Sequence, residues 1–175
     1  MPTVFTHGIV AITLSKMSRL KKGKGWLLVL LAIFCAVIPD ADVIAFNFGI
    51  PYEHPFGHRG FTHSIFFSVL LGGIIAFLFY RKTATTWAYW LFFSVVTLSH
   101  AVFDAMTSGG LGCAFFFPID NSRFFFPFRP ITVSPLGVKN FFSEWGWRTM
   151  QSEFYWVWIP CFFILIILWI IGRRK

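Results

Sequence analysis

Residues 58–82 read HRGFTHSIFFSVLLGGIIAFLFYRK. The core of this stretch, Ile65–Tyr80, carries no charge, whereas two histidines and an arginine crowd its leading end and two bases close its trailing end. In hydrocarbon every backbone polar group must be bonded within the segment, so such a run is read as a helix. The ~10-residue alternation of a membrane barrel is absent. Working outward, Trp26–Ile38, Trp87–Phe103 and Phe154–Ile171 have the same character, and Thr3–Leu14 is a weaker fifth that either spans or lies in the interface. Several runs fall short of the ~20 residues that cross a ~30 Å core. Extension into the flanks and thinning of the bilayer accommodate that mismatch. The expected fold is all-α, a polytopic membrane helical bundle of about five helices. It forms one domain over 1–175: helices in 1–104, a long aromatic-rich outward loop over 105–150, and a last helix over 151–172.

Composition agrees. Apolar residues make up 57% of the chain, aromatic 21% and charged 13%, against about 25% charged in ordinary soluble domains. Intrinsic disorder is excluded, because it requires low hydrophobicity and few aromatics, and a water-soluble enzyme is disfavoured. Cys35 and Cys161 lie in apolar runs and Cys113 in a Gly-rich loop, so all three are read as small hydrophobes. The basic cluster follows the first apolar stretch, contrary to a secretory signal, and there is no internal repeat.

Threading the five elements alternately sorts the charges. One side receives Lys16, Arg19, Lys21, Lys22, Lys24, Arg81, Lys82, Arg173, Arg174 and Lys175, ten bases and no acid. The other receives all seven acids and only five bases. Lys and Arg in short loops stay cytoplasmic, so the acidic side is expected to be periplasmic and the C-terminus cytoplasmic, in a bacterial inner membrane. The net charge of +8 is thereby explained by topology, and no nucleic-acid partner is expected. No obligate protein partner is evident.

The same threading gathers the polar residues at the acidic side. His7 starts element one, Asp40 and Asp42 follow element two, His58 and His63 precede element three, and His100 and Asp104 close element four. His100 and Asp104 are four apart and share a helix face. Asp40 and Asp42 are two apart after a helix, where a turn can aim both at one ion. Gly60 is expected to bend the chain so that His58 and His63 turn inward. Each residue alone reads as a cap or interface group. Ionisable groups in membrane segments are costly, however, and several converging point to a metal centre. Imidazole with carboxylate suits zinc, and manganese or magnesium are the carboxylate-rich alternatives. One or two ions are expected. Glu53, His54 and Asp120 are weaker candidates.

With His7, Pro39-Asp40-Ala41-Asp42, His58-Arg59-Gly60-Phe61-Thr62-His63-Ser64, His100-Ala101-Val102-Phe103-Asp104, the Thr107–Gly110 turn and Ser134-Pro135, the sequence resembles the YdjM family of membrane-bound, metal-dependent hydrolases. The resemblance covers roughly residues 5–135, and the HRGxTHS element is its most specific part. It implies an inner-membrane hydrolase distantly similar to zinc-dependent phospholipase C and the P1-type nucleases, with His7, Asp40, His63, His100 and Asp104 as metal ligands. Asp42 and His58 follow as second candidates. The chain has fewer His ligands than those soluble enzymes.

The chemistry expected is phosphoester hydrolysis with metal-activated water. Arg59, inside the histidine motif, is expected to grip a phosphoryl oxygen through its bidentate guanidinium, and Arg59 and Asp42 are the residues read as catalytic. Arg123 and Arg129 are either further anion contacts or headgroup anchors. The Phe-rich segments 115–117 and 124–128, broken by prolines, either pack on the bundle or dip into the leaflet, where a lipid phosphate would be the substrate at hand. Two non-enzymatic alternatives remain open. A divalent-metal transporter would place its polar groups nearer the midplane, and a metal-stabilised structural protein would close every coordination position.

Overall fold

In the computed structural model of the protein, residues 1–18, 20, 25–135 and 138–173 are described. The bases Arg19, Lys21, Lys22, Lys24, Arg174 and Lys175 lie outside them, as does the side chain of Lys139. Ser64 opens the helix read first: its hydroxyl accepts from Phe67 N at 3.0 Å, which satisfies one of the free N–H groups of the first turn. This helix, Ile65–Tyr80, is the third in the chain (α3). It is preceded by α1, Val4–Met17, and α2, Gly25–Val37, and followed by α4, Thr86–Ala105, a short α5, Val138–Phe141, and α6, Glu144–Arg173. Among the described residues there is no strand, only the isolated pairings Thr107–Ile131 and Cys113–Phe124. The bundle is all-helical, as expected.

Two boundaries differ from the sequence expectation. The second element does not stop at Ile38 but runs on as a 3₁₀ helix over Ile38–Phe48, far beyond the three or four residues usual for that geometry. The last helix begins at Glu144, where Ser143 Oγ accepts from Gly146 N, and it passes through one π turn at Phe154–Trp158. Its polar first turns were read as loop, because apolar content marks lipid contact and not helicity.

Among the described residues three helical stretches are long and apolar enough to cross a membrane, namely Gly25–Phe48, Thr86–Ala105 and Glu144–Arg173, while α1 and α3 are shorter apolar helices. α3 and α4 pack most closely, because Gly72 lets α3 approach the backbone of Ser94, where a Cβ would collide. Ala11, Ala32, Ala36 and Ala76 similarly thin the centre, which Tyr80, Tyr89 and Phe93 fill. The distribution of polarity is inverted relative to a soluble protein. Phe66, Leu70, Ile74, Phe77 and Leu78 on α3 face outward, whereas Thr6, His7, Thr97, His100 and Asp104 are buried. Leu and Phe cost nothing against lipid, so the interior is left to the groups that need partners.

The leading ends of α1 and α3 and the trailing ends of α2 and α4 share one end of the bundle. Lys16, Arg81, Lys82 and Arg173 lie at the other. The segment after α4 folds back over the first end: Phe126 N donates to Ala105 O, Ile131 N to Met106 O, and Ile65 N to Phe115 O. Phe115, Phe116, Phe124 and Phe126 flank an apolar recess against Ile65, Leu98 and Val102 of α3 and α4.

Candidate metal centre

α4 supplies the floor of the site. His100 and Asp104, one turn apart, are both fully buried, with His100 Nε2 4.0 Å from Asp104 Oδ1. α1 lays His7 flat on His100, ring centroids 3.8 Å apart and planes 18° from parallel, and sets its Nε2 3.6 Å from Asp104 Oδ1. The 3₁₀ run brings Asp40 Oδ1 to 3.2 Å from His100 Nε2 and 3.8 Å from His63 Nε2. His63, in the single 3₁₀ turn Phe61–His63, points its Nε2 at the same spot, 3.0 Å from His100 Nε2 and 3.6 Å from Asp104 Oδ2.

Four of these atoms lack hydrogen-bond partners. His7 Nε2, Asp40 Oδ1 and both Asp104 oxygens are buried without a hydrogen bond, a costly state unless something else satisfies them. Donors bound at zinc distances in a tetrahedron lie about 3.3 Å apart, and the observed separations of 3.0–4.0 Å bracket that value. The residues present therefore fit a divalent ion.

The ring orientations are fixed from outside. His100 Nδ1 donates to the Ala36 carbonyl at 2.7 Å, which fixes the ring with Nε2 facing inward. That carbonyl is available for a stated reason: in a 3₁₀ register its partner would be the N–H of residue 39, which is Pro39. His63 Nδ1 lies 3.3 Å from Asp42 Oδ2. Burial disfavours a charge on this ring, but hydrogen bonding to Asp104 and Asp42 outweighs it and lifts the His63 pKa to about 9, so in the absence of metal a proton takes up the excess negative charge.

Asp42 and His58 are placed differently from the rest. Asp42 accepts from His58 Nδ1 at 2.6 Å, Arg59 N at 3.1 Å and Thr62 Oγ1 at 2.6 Å, besides facing His63. A carboxylate has about four lone-pair sites, and here all are engaged by donors. Asp42, His58 and His63 also form a group tight enough to hold an ion, but the 2.6 Å contact is that of a hydrogen bond. Glu53 and His54 are exposed.

Arg59 is enclosed. Its Nε lies 2.7 Å from Asp104 Oδ2, close but not aligned on the oxygen, while Nη1 donates to Gly109 O at 2.9 Å and Nη2 to Thr107 Oγ1 at 3.1 Å. Its backbone is left-handed, φ +62°, a conformation that costs a non-glycine residue about 1–2 kcal/mol. Gly60 was expected to make that bend. It serves close approach instead, since a Cβ there would strike the Pro55 carbonyl oxygen.

Thr62 and Glu153 were not singled out from sequence, and Arg123, read there as an anion contact or headgroup anchor, holds backbone carbonyls. Thr62, in the middle of the histidine motif, was legible there as a polar neighbour. Arg123 binds the carbonyls of Tyr52, His54 and His58 and so clamps the motif loop. Glu153, fully buried, accepts from Thr3 N, Thr3 Oγ1 and Thr6 Oγ1 at 2.5–2.6 Å, which ties α6 to the start of α1 one turn before His7. The only sequence signal for Glu153 was an acid abutting an apolar run.

The protein of Escherichia coli (strain K12) described as inner membrane protein YbcI is 37% identical over 178 residues, covering the whole of both chains. The family model described as YdjM inner membrane protein matches residues 1–175. The chain belongs to the YdjM family. That relative is described as an inner membrane protein, and this chain has helices long and apolar enough to cross a membrane. No solved structure matches it. Within this YdjM chain the buried His and Asp groups could hold a metal ion.

Proposed function

We propose that the protein is a metal-dependent hydrolase of phosphoesters, working at the periplasmic rim of the inner membrane with zinc as the first candidate ion. The observation that carries this reading is the grouping of Asp40, His63, His100 and Asp104 within reach of one ion, with His7 stacked on His100 beside it and with His7 Nε2, Asp40 Oδ1 and both Asp104 oxygens buried without a hydrogen bond. When bound, a divalent ion there supplies Lewis acidity toward a phosphoryl oxygen and an acidified water. The chain's own residues set the stage. His100 is held by Ala36 O and His63 by Asp42, so both Nε2 atoms face inward. Arg59 offsets part of the Asp104 charge from behind, which makes it a positioning residue and not the phosphate grip expected from sequence. The positive-inside asymmetry supports the orientation, with Lys16, Arg81, Lys82 and Arg173 at the far end.

The metal-stabilised structural reading has one observation in its favour: His7, His63, His100 and Asp104 are all at most 1% exposed. Asp40, at 14%, is the opening through which a substrate can approach. The test is elemental analysis of the detergent-purified protein with a phosphodiester turnover assay. A stoichiometric transition metal and turnover, both lost in His63→Ala, are expected. Metal without turnover supports the structural reading, and neither metal nor turnover overturns both.

A further inference from the structure

Asp40 belongs to two surroundings. One carboxylate oxygen is buried toward the histidines, yet the residue also lines a groove of about 540 Å³ on the outer face of the bundle, between the start of α1 and the length of α2. The groove is otherwise apolar, walled by Val4, Leu30, Ile33, Phe34 and Val37. Its volume is within the range of about 300–1,000 Å³ typical of ligand sites. From Leu30 to Asp40 the backbone climbs about 15 Å, which is half of the ~30 Å hydrocarbon core. The groove thus has the depth of one leaflet and ends at the metal centre. A second outer groove, between α3 and α4 and lined by Phe66, Leu70, Ile74 and Trp90, has no ionisable residue and leads nowhere.

We infer that the α1/α2 groove seats the hydrocarbon chain of a long-chain lipid whose phosphate headgroup lies at Asp40, so that substrate enters sideways from the leaflet. This rests on the metal-centre reading, because a phosphate approaches the Asp40 carboxylate only if a cation stands between them. A lipid brings the phosphate to headgroup depth already oriented, with its chain filling a surface that would otherwise hold bulk lipid. A soluble phosphoester gains nothing from the groove.

The test uses the full chain in vesicles containing phosphatidic acid with a diazirine in its acyl chain. Photolabelling is expected to concentrate on residues 30–37 and to be competed by unlabelled phosphatidic acid but not by phosphate-free diacylglycerol. Ile33→Trp, or Leu30→Trp should the first variant fold poorly, is expected to lower that labelling about tenfold by filling the groove. Metal content and hydrolysis of bis(p-nitrophenyl) phosphate stay unchanged. Equal labelling of the α1/α2 and α3/α4 grooves, or labelling unaffected by both substitutions, overturns the inference while leaving the metal centre intact. Selective labelling in a protein without metal or turnover would uphold the groove as an acyl-chain seat and overturn both the headgroup position at Asp40 and the hydrolase.

Discussion

Arg59 and Asp104 form an ion pair at the candidate centre. Both are fully enclosed and 2.7 Å apart, and removing one partner of such a pair strands the other at a cost of about 3–5 kcal/mol. Arg59→Ala is therefore expected to lower the thermal midpoint of the metal-free protein sharply, and zinc should restore most of the loss by supplying the missing positive charge. An equal loss with and without zinc would place Arg59 outside the centre's electrostatics. Asp42 gives a complementary case. Asp42→Asn disturbs the carboxylate that orients His63 and is expected to weaken metal affinity about 10–100-fold, measured by competition with a chromophoric chelator, in a protein that still folds. Turnover lost at unchanged affinity would instead make Asp42 catalytic. His100 and Asp104 were legible in sequence because a spacing of four is a statement about one helix face. Glu153 was not, because its partners lie about 150 residues away and only packing brings α6 against α1.

At the scale of elements, the 3₁₀ run after α2 does what an ordinary helix end would not. It keeps Asp40 and Asp42 on adjacent faces, one toward the histidine cluster and one toward the motif loop, and leaves the Ala36 carbonyl to His100. Pro39→Ala restores a backbone N–H that competes for that carbonyl, so a severalfold loss of metal affinity with normal helix content is expected; unchanged affinity would show that Pro39 has no part in orienting His100. The sequence placed Asp40 and Asp42 correctly after an apolar run. It could not reveal the change of helix type, because apolar periodicity over so few residues does not separate one helix from another. The junction of α6 with α1 carries a second expectation. Glu153→Gln loses the charge-assisted character of its hydrogen bonds, each worth about 1.5–3 kcal/mol, and should lower the thermal midpoint while metal content persists. If metal is lost with the fold intact, α1 is held chiefly by Glu153.

For the whole molecule, polarity sorted by depth explains both the fold and the site. Lipid-facing surfaces are apolar, the interior holds hydroxyls and imidazoles, and the charged groups among the described residues divide between the two ends. Cys35, Cys113 and Cys161 are buried, and burial pushes the Cys113 thiol well up, so the native cysteines are expected to be silent toward maleimides. A cysteine at Ile119, 95% exposed in the aromatic loop, should then react with an impermeant maleimide added to intact spheroplasts, and one at Thr83, between α3 and α4, should react only after lysis. The reverse pattern would put the site end in the cytoplasm.

The central claim is that histidines and carboxylates from separate elements grip one cation centre. X-ray absorption at the metal edge of the purified protein tests it directly. The account expects only nitrogen and oxygen neighbours at about 2.0–2.2 Å, with the multiple-scattering signature of two or more imidazoles that is reduced in His63→Ala. A shell of sulfur at about 2.3 Å, or a spectrum unchanged by that substitution, would contradict it.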